Sequence, residues 1–278
     1  MSLQISSLNS GSNGNCYYVG NHKEAVLIDA GLSCRETETR MKRLGLCMTN
    51  VKAIFISHEH TDHINGLNVI SKKYNLPAYI TSGTLNKIRI RMHKKMAINF
   101  EADKPVPIGS LVVTAFRKSH DAGDPHSFIV SSDKINVGVF TDIGFPGKEL
   151  IRFFKLCDAA FLESNYCEDM LENGYYPRIL KSRISGNKGH LSNAQALDLF
   201  IKHRPRQLTH LILSHLSANN NDPQLVSRLF NSHAGNTKII IASRHEETPV
   251  FNIAAGPFSR RYAAAGKSQQ GREQLKLF

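Results

Sequence analysis

Cysteine is scarce in this sequence, and no two cysteines are closely paired. The five among 278 residues are Cys16, Cys34, Cys47, Cys157 and Cys167. None belongs to a CxxC segment. Zinc sites built on thiolates and small domains held by disulfides both need closely and regularly spaced cysteines. The sequence therefore excludes these two classes, and we expect the cysteines to be reduced and mostly packed.

Long apolar runs are also absent. The apolar stretches AVLIDAG (25–31) and LTHLILSH (208–215) are far shorter than the roughly 20 residues that a membrane-spanning helix needs. The first ten residues, MSLQISSLNS, contain neither the basic segment nor the apolar run of a secretion signal. We therefore expect a cytoplasmic protein with no membrane partner.

Acidic residues are too few to balance the basic ones. The chain has 23 Asp and Glu against 35 Lys and Arg, which gives a formal net charge of +12. Such a charge attracts polyanions, and nucleic acid is the commonest polyanion in a cytosol. Many basic proteins bind no anion specifically, however, and the basic cluster RILKSR (178–183) could equally be a solvated helix face. Charge favours a nucleic-acid partner without establishing one.

Short β-branched runs alternate with stretches of helical spacing, which is typical of an α/β protein. The predicted strands are EAVLIDAG, VKAIFISH, PAYITSG, SLVVTAFRKSH, HSFIVSS, INVGVFTDIG, AAFLESN, LTHLILSH and KIIIASR. The predicted helices cover roughly 35–45, 64–75, 147–156, 168–182, 192–203 and 222–232. The hydrophobic pattern fades after about residue 255. We therefore predict one large domain over residues 1–255 and a basic C-terminal tail over residues 256–278.

Four side chains able to bind a metal ion crowd into one stretch, FISHEHTDHINGL (55–67). His58 and His60 are two residues apart, so in an extended backbone they project from one face at the end of a predicted strand. Asp62 and His63 follow where the next helix should start. Imidazole and carboxylate suit zinc or a similar divalent ion. The alternative, four polar groups packed by chance, is weaker because such clusters usually mark a site.

Three further candidates end other apolar strands. His120 ends LVVTAFRKSH, Asp142 ends INVGVFTD, and His215 ends LTHLILSH. A lone histidine after a strand is more often a surface or core residue than a ligand. Three apolar predicted strands that each end in a histidine or an aspartate are harder to explain as surface or core residues. They favour one shared metal site.

The HxHxDH pattern of residues 58–63 resembles that of the metallo-β-lactamase-fold hydrolases, and the resemblance covers nearly the whole chain. It implies an αββα four-layer sandwich with a site for two divalent metal ions, zinc or manganese or alternatively iron, at the edge between the sheets. It also implies how the ligands divide. One metal would be held by His58, His60 and His120, the other by Asp62, His63 and His215, and Asp142 would bridge both.

Such a pair of ions provides the chemistry of hydrolysis. Two metals roughly 3.5 to 4 Å apart can share a hydroxide and clamp the attacking and leaving oxygens of a displacement. Water bound to zinc has a pKa near about 7, so a nucleophile exists at neutral pH. Asp29, in AVLIDAG, matches the family's early strand-end aspartate, which orients a ligand histidine through its other ring nitrogen. An ordinary strand-to-turn aspartate explains Asp29 equally well.

The fold does not choose among β-lactams, thioesters, lactones and phosphodiesters. Glu163 in LESNY and His190 in KGHLSN resemble the acidic residue and the GHxS-type histidine of the family's nuclease branches. There, a histidine supported by a carboxylate protonates the departing oxygen. Asp62, Glu163 and His190 are therefore the expected catalytic residues, although His190 could instead cap or pack against the following helix.

Five segments resemble, in the same order, the YycJ/WalJ subgroup of this fold. They are SLNSGSNGNC, KSHDAGDP, TDIG, LESNYCEDMLENGYYPRILKSRISGNKGHLSN and LSHLSANNNDPQ. The resemblance implies a metal-dependent 5′-to-3′ exodeoxyribonuclease with a role in DNA repair, and DNA rather than RNA as its partner. A terminal phosphate would need hydrogen-bond donors at turns, although tight loops also use such residues for their own geometry. The candidates are Ser12, Asn13, Ser192, Ser217 and Asn219.

The last five residues, QLKLF (274–278), resemble the short QLxLF peptide by which bacterial replication and repair proteins hold the sliding clamp. Gln274 would make polar contacts, while Leu275, Leu277 and Phe278 would fill an apolar groove. Such a tether raises the local concentration of an enzyme on DNA. The alternative is a tail strand that packs on its own domain.

Two other functions stay open. A small ester, thioester or lactone hydrolase would share the metal cluster, but it would need neither the pair of Glu163 and His190 nor a basic surface. A non-catalytic scaffold tethered to the clamp would use metals only to hold its fold, yet a structural site need not keep all the ligand positions of an open two-metal centre. Imidazole and carboxylate ligands accept zinc, manganese and iron, so the sequence does not fix the metal.

Overall fold

Two seven-stranded β-sheets form the centre of the molecule in the computed structural model, which describes residues 2–88 and 96–262. In spatial order the first sheet is β14 (Phe251–Ala254), β1 (Ser2–Asn9), β2 (Cys16–Gly20), β3 (Ala25–Ile28), β4 (Val51–Phe55), β5 (Ala78–Tyr79) and β6 (Ala97–Ile98). Strands β3 to β6 run parallel, whereas β14, β1, β2 and β3 pair antiparallel. The sheet is therefore mixed.

The second sheet is mixed as well. In spatial order it is β13 (Lys238–Ile241), β12 (His210–Ser214), β11 (Ala159–Glu163), β10 (Ile135–Phe140), β9 (His126–Ser132), β8 (Leu111–Arg117) and β7 (Val106–Ile108). Strands β10 to β13 are parallel, and β7 to β10 are antiparallel. All nine predicted strands correspond to described strands. Sequence patterns missed β1, β2, β6, β7 and β14.

Helices cover the outer faces of both sheets. They are α1 (Cys34–Arg43), α2 (Thr61–Ile64), α3 (Leu67–Tyr74), α4 (Ser82–Leu85), α5 (Lys148–Phe154), α6 (Glu168–Asn173), α7 (Arg178–Ser185), α8 (Asn193–His203) and α9 (Pro223–Asn231), with a 3₁₀ turn at Met48–Asn50. The prediction of one helix over 168–182 is wrong, because the structure has two separate helices there, α6 and α7. Pro177 lies between them; it lacks an N–H group and disfavours the helical conformation in the residue before it. Within the described ranges, each helix is too short or too polar to reach across a bilayer.

Three apolar cores separate the layers. The core between the sheets joins side chains of both, such as Ile5 and Phe55 with Phe128 and Phe161. A second core lies between the first sheet and helices α1 and α3, and a third lies between the second sheet and helices α5, α8 and α9. The order helix, sheet, sheet, helix confirms the predicted αββα four-layer sandwich.

The chain continues to contact the second sheet after β14. The Ser259 hydroxyl donates to the Asp158 carboxylate, and Asn136 Nδ2 donates to the Arg260 carbonyl at 2.8 Å. Most of the predicted tail, including the QLxLF-like residues Gln274, Leu275, Leu277 and Phe278, lies outside the described residues. The division at residue 255 and the clamp contact stay predictions.

Candidate metal centre

The candidate site lies at one edge of both sheets, where several strands end. Parallel strands bring their carboxyl ends to the same edge, which is where ligands bind in open α/β sheets. Asp29, Asp142 and His215 follow β3, β10 and β12, and each has a left-handed backbone with φ of 62°, 55° and 57°. Left-handed backbone is unusual for residues with a Cβ atom and often accompanies functional sites. These turns bring polar side chains to the end of a buried sheet.

Three histidines form the first ligand group. His58 Nε2 lies 3.0 Å from His60 Nδ1, and His120 Nε2 lies 3.4 Å from the same His60 atom. His58 is fully buried and His120 nearly so, whereas the His60 side chain is 32% exposed. The three ring nitrogens therefore converge on a point that is reachable from solvent.

Asp62, His63 and His215 form the second group. Asp62 Oδ2 lies 3.4 Å from His63 Nε2 and 3.6 Å from His215 Nε2. Asp62 is held there partly because Gly31 lies against its main chain: a Cβ at Gly31 would fall 1.7 Å from the Asp62 carbonyl oxygen. Only glycine permits this close approach.

Asp142 connects the two groups. Its Oδ2 lies 3.2 Å from His63 Nε2, and its Oδ1 lies 3.8 Å from His120 Nε2. The structure thus brings together all seven residues for which the sequence predicted metal ligation. Both predicted sets of three are present, and Asp142 groups with His58 and His63 and, separately, with Glu163, His190 and His215.

The unsatisfied atoms of the site test whether metal ions fit. Asp142 Oδ2 and His215 Nε2 are buried and have no hydrogen-bond partner. Leaving a buried polar atom unpaired costs about 1–3 kcal/mol, and more for a charged group. Coordination to a divalent cation would satisfy both atoms, and imidazole with carboxylate is the donor set that zinc, manganese and iron accept. The residues fit divalent metal ions.

The electrostatics of the pocket also favour positive charge. Burial lowers the pKa of His63, but carboxylates led by Asp142 and Asp29 outweigh it and raise that pKa well above its ordinary value. Burial likewise opposes protonation of His215, yet Asp142 and two further carboxylates raise its pKa to about 10. A metal ion supplies positive charge and must displace such protons from its ligands.

Hydrogen bonds outside the cluster fix the ligand rings. His63 Nδ1 donates to Asp29 Oδ2 at 2.7 Å, which is the support expected of Asp29. The Ser57 hydroxyl lies 2.9 Å from both Asp29 Oδ2 and His58 Nδ1, so one carboxylate supports two histidines. His120 Nδ1 donates to the Gly189 carbonyl at 3.0 Å. Such contacts leave the inner ring nitrogens free to bind metal.

Glu163 and His190 also meet at this edge. His190 Nδ1 donates to Glu163 Oε1 at 2.8 Å, and the same Nδ1 atom lies 3.8 Å from Asp142 Oδ1. Glu163 Oε1 also accepts from His215 Nδ1 at 2.9 Å, a contact that the sequence did not predict. Burial would raise the pKa of Glu163, but His190 and His215 lower it to about 2. Glu163 therefore supports both the expected proton donor and a predicted metal ligand.

The five residues predicted to bind a terminal phosphate occupy three separate loops. Ser12 and Asn13 are exposed beside Arg244, whose Nη2 donates to the Ser12 hydroxyl at 3.0 Å. Ser217 Oγ accepts from the Asn220 N–H at 3.2 Å, and Asn219 Nδ2 donates to the Tyr176 hydroxyl at 2.8 Å. The His215 N–H donates to Ser10 Oγ at 2.7 Å and so joins two of these loops, but within the described ranges no hydrogen bond joins the five predicted residues to one another across loops.

Ser192 has a local role. It is fully buried, caps α8 by accepting from the Gln195 N–H at 3.1 Å, and donates its hydroxyl proton to Glu168 at 2.9 Å. Since its single proton is used inside the protein, the hydroxyl has none left for a phosphate. Helix capping and the contact with Glu168 account for Ser192.

Sequence patterns missed two residues near the ligands. Asn15 is fully buried and donates through Nδ2 to Asp62 Oδ2 at 3.1 Å. Lys118 donates to the Thr141 carbonyl at 2.7 Å, directly before Asp142. Asn15 lies in a segment that carried the family resemblance, but nothing in its local pattern indicates a contact 47 residues away. No signal singled out Lys118.

Two packed sheets between helices, with clustered histidines and aspartates at one edge, define a metallo-hydrolase of the αββα class. A family model described as "Beta-lactamase superfamily domain" matches residues 24–215, a range that contains all seven ligand candidates. The chain belongs to this superfamily, in its metallo-β-lactamase-fold branch, and the predicted family is confirmed.

Two relatives cover most of the chain. Exodeoxyribonuclease YycJ of Bacillus anthracis is 34% identical over 230 residues, which are 81% of this chain and 86% of the relative. Exodeoxyribonuclease WalJ of Streptococcus pneumoniae serotype 2 (strain D39 / NCTC 7466) is 30% identical over 228 residues, which are 80% of this chain and 85% of the relative. They confirm the predicted YycJ/WalJ-like subgroup and the expectation of an enzyme.

Solved structures support the fold. The metallo-beta-lactamase fold protein YhfI of Bacillus subtilis superimposes with a TM-score of 0.70 at 15% identity, covering 91% of this chain and 100% of that one. Zn(2+)-bound PqqB of Methylobacterium extorquens gives a TM-score of 0.66 at 13% identity, covering 88% and 99%. At such identities the likeness shows a shared fold.

Proposed function

We propose that the protein is a metal-dependent phosphodiesterase that degrades DNA in the 5′-to-3′ direction, with a role in DNA repair. The observation that carries the proposal is the 2.8 Å contact between His190 Nδ1 and Glu163, beside the Asp142 carboxylate. A proton donor at this point suits phosphodiester cleavage, because an alkoxide leaves at high cost unless it is protonated. The similarity to two proteins named exodeoxyribonuclease supports the same substrate class.

Two divalent ions, zinc or manganese with iron as the alternative, would be held by the seven clustered residues. One ion would be held by His58, His60 and His120, the other by Asp62, His63 and His215, with Asp142 shared. When bound, such ions supply Lewis acidity and lower the pKa of water toward about 7. The buried carboxylates of Asp29 and Glu163 would keep the ligand rings in position.

His190 would transfer its proton through one defined atom. Its Nδ1 donates to Glu163, whose Oε2 also accepts from the N–H groups of Ile143 at 2.7 Å and Leu191 at 3.1 Å. Because Glu163 is fixed in this way, a proton for the departing oxygen would come from Nε2, and the carboxylate would stabilise the imidazolium that carries it. The His190 side chain is 21% exposed, so water can restore the proton.

The 5′ phosphate would be bound by the exposed loop of Ser12 and Asn13. Arg244 lies against this loop and adds a guanidinium, which pairs well with phosphate oxygens. Ser217 and Asn219, which follow His215 in the chain, complete the proposed set. Ser192 is left out because its hydroxyl proton is bound to Glu168.

A polarity assay tests the function. Linear duplexes labelled at the 5′ or the 3′ end, with a 5′ phosphate or a 5′ hydroxyl, are incubated with metal-free protein plus zinc, manganese or magnesium. We expect degradation from the 5′ end, faster with a 5′ phosphate than with a 5′ hydroxyl.

The alternatives are tested by incubating the same metal-loaded protein with thioesters, lactones and single-stranded RNA, and by measuring its metal content. Turnover of thioesters or lactones without any DNA degradation would favour a small-ester hydrolase. Full metal content without either reaction would favour the non-catalytic scaffold. Degradation of single-stranded RNA but not DNA would move the proposal to ribonuclease.

The sliding clamp is proposed as a partner on the sequence of the tail. Deleting residues 274–278 should abolish binding to a bacterial sliding clamp, measured by surface plasmon resonance, because it removes the whole QLxLF-like peptide. It should leave the degradation of free DNA unchanged, because none of these residues belongs to the candidate metal centre. Replacing Gln269 and Gln270 with alanine in the same tail is the control. Unchanged clamp binding after the deletion would refute this partner.

A further inference from the structure

One surface segment concentrates positive charge without any acidic residue. Residues 174–189, GYYPRILKSRISGNKG, are called the basic segment here. They contain the cations Arg178, Lys181, Arg183 and Lys188 and no Asp or Glu, so their formal charge is +4 of the chain's +12. Like charges grouped in this way repel one another and attract a polyanion.

The same segment exposes large apolar side chains. Helix α7 has no buried residue, Ile179 is 87% exposed, and Tyr175 is 78% exposed. The Tyr175 ring packs against its neighbour Tyr176, with ring centroids 5.0 Å apart. Leu180, Lys181 and Ile184 of α7 are only half-buried. The segment therefore exposes aromatic side chains just before the helix and cationic ones on it, which is the composition of a surface that binds nucleic-acid strands.

The basic segment is also attached directly to the candidate metal centre. Arg183 Nε donates to Asp121 Oδ2 at 2.6 Å, and the other oxygen of Asp121 lies 3.5 Å from His120 Nε2. The His190 N–H donates to the Ile184 carbonyl at 2.9 Å. A Cβ at Gly189 would fall 2.0 Å from that same carbonyl, so the segment and the proton donor are packed without space between them.

We infer that the basic segment is the surface along which a DNA strand reaches the metal centre. This inference rests on the proposed function and adds the position of the substrate. Arg178 and Lys181, three residues apart, share one side of α7 and would pair with backbone phosphates, while Tyr175 would stack on a base.

Charge distinguishes DNA from the other plausible occupant, a second copy of this chain. A two-fold interface would bring the same surface of both copies together, so one basic segment of +4 would face another. Arg183 is paired with Asp121, but Arg178, Lys181 and Lys188 have no ion pair among the described residues, so two such surfaces repel each other, whereas phosphates neutralise them. The segment therefore suits a polyanion.

The experiment compares two double variants with the same change in charge. Arg178→Gln with Lys181→Gln alters the basic segment. Arg35→Gln with Lys72→Gln is the matched control, since both residues are exposed on α1 and α3, which cover the outer face of the first sheet. All proteins are loaded with metal and measured on single-stranded and duplex DNA, and on the small substrate bis(p-nitrophenyl) phosphate.

We expect the basic-segment variant to raise KM for DNA by about tenfold with kcat nearly unchanged, and to reduce the slope of log affinity against log salt by about 1.4 on a single strand. Tyr175→Ala should raise KM by about fivefold or more. Hydrolysis of bis(p-nitrophenyl) phosphate should stay unchanged in each variant, because this substrate is too small to reach the segment. The control should match the parent on every substrate.

The outcomes separate this inference from the function on which it rests. If the parent degrades DNA and both double variants have the same KM and the same slope of log affinity against log salt, the inference is wrong, while the proposed nuclease function is unaffected. A parent that degrades no DNA with any metal would overturn both. If Tyr175→Ala instead converted a dimeric parent to a monomer without changing KM for DNA, the segment would be an interface between copies and the inference would be wrong.

Discussion

Asp142→Asn is expected to bind the metal at least about 100-fold more weakly and to slow DNA degradation by more than about a thousandfold. Asp142 lies between both ligand groups, 3.2 Å from His63 and 3.8 Å from His120, and its Oδ2 has no hydrogen-bond partner. An amide keeps the shape of the side chain but lacks the negative charge that a shared ligand contributes. Metal content measured by elemental analysis after equilibrium dialysis, together with degradation rate, checks the prediction.

Asparagine is chosen because the backbone at Asp142 is left-handed, with φ of 55°. Asparagine tolerates this conformation, whereas alanine would add backbone strain to the loss of the carboxylate. Asp133→Asn is the matched control, since Asp133 has a φ of 52° in the exposed turn between β9 and β10. Full metal content in Asp142→Asn would contradict its place in the centre, and metal loss in Asp133→Asn would mean that the substitution disturbs the fold in general.

His190→Ala is expected to lower kcat on DNA by about 10²- to 10⁴-fold while the metal content stays close to that of the parent. The imidazole contacts Glu163 and is not one of the seven proposed ligands, although it also lies in a group with Asp142, Glu163 and His215 that could hold a metal ion, so metal content is the decisive measurement. Loss of a proton donor should matter less when the leaving group needs no proton. The variant should therefore hydrolyse thymidine 5′-(p-nitrophenyl phosphate) at nearly the parental rate, because nitrophenolate leaves unprotonated.

Two further variants test whether the rate loss is specific to His190 and to its role as proton donor. His203→Ala removes a histidine from the end of α8 and should behave as the parent on both substrates. Glu163→Gln should slow DNA degradation and also weaken metal binding by about 10- to 100-fold, since Glu163 Oε1 contacts His190 and His215 alike. Equal metal loss in His190→Ala and Glu163→Gln, or an equal rate loss of His190→Ala on both substrates, would refute the division of roles.

Most of the sandwich could be predicted from local patterns. Strands buried along most of their length, such as β10 and β12, are mostly apolar, and this pattern predicted them. Strand β1 was missed because Ser and Asn interrupt its apolar residues, and β2 was missed because it has only five residues, between Gly- and Asn-containing stretches. Pairing of β1 with β2 and of β2 with β3 defines both strands in the folded chain.

The candidate site was predictable where its residues are close in sequence. His58, His60, Asp62 and His63 form one pattern, and strand ends indicated His120, Asp142 and His215. Their division into two groups came from family resemblance. Contacts between distant segments had no sequence signal: examples are Asn15 with Asp62, and Glu163 with His215.

The amino-acid order alone was sufficient for the α/β class, for the positive charge and for which side chains could bind metal, because periodicity and residue chemistry are local properties. The four-layer arrangement came from the resemblance to a known family. The folded chain was needed to show that the Ser192 hydroxyl donates its hydrogen bond to Glu168 and that Glu163 accepts hydrogen bonds from two histidines. It was also needed to show that the basic segment contacts Asp121, next to His120. These facts depend on distances between residues that lie far apart in the chain or on competing hydrogen bonds. Such distances are fixed only when both sheets pack and their strand ends meet at one edge.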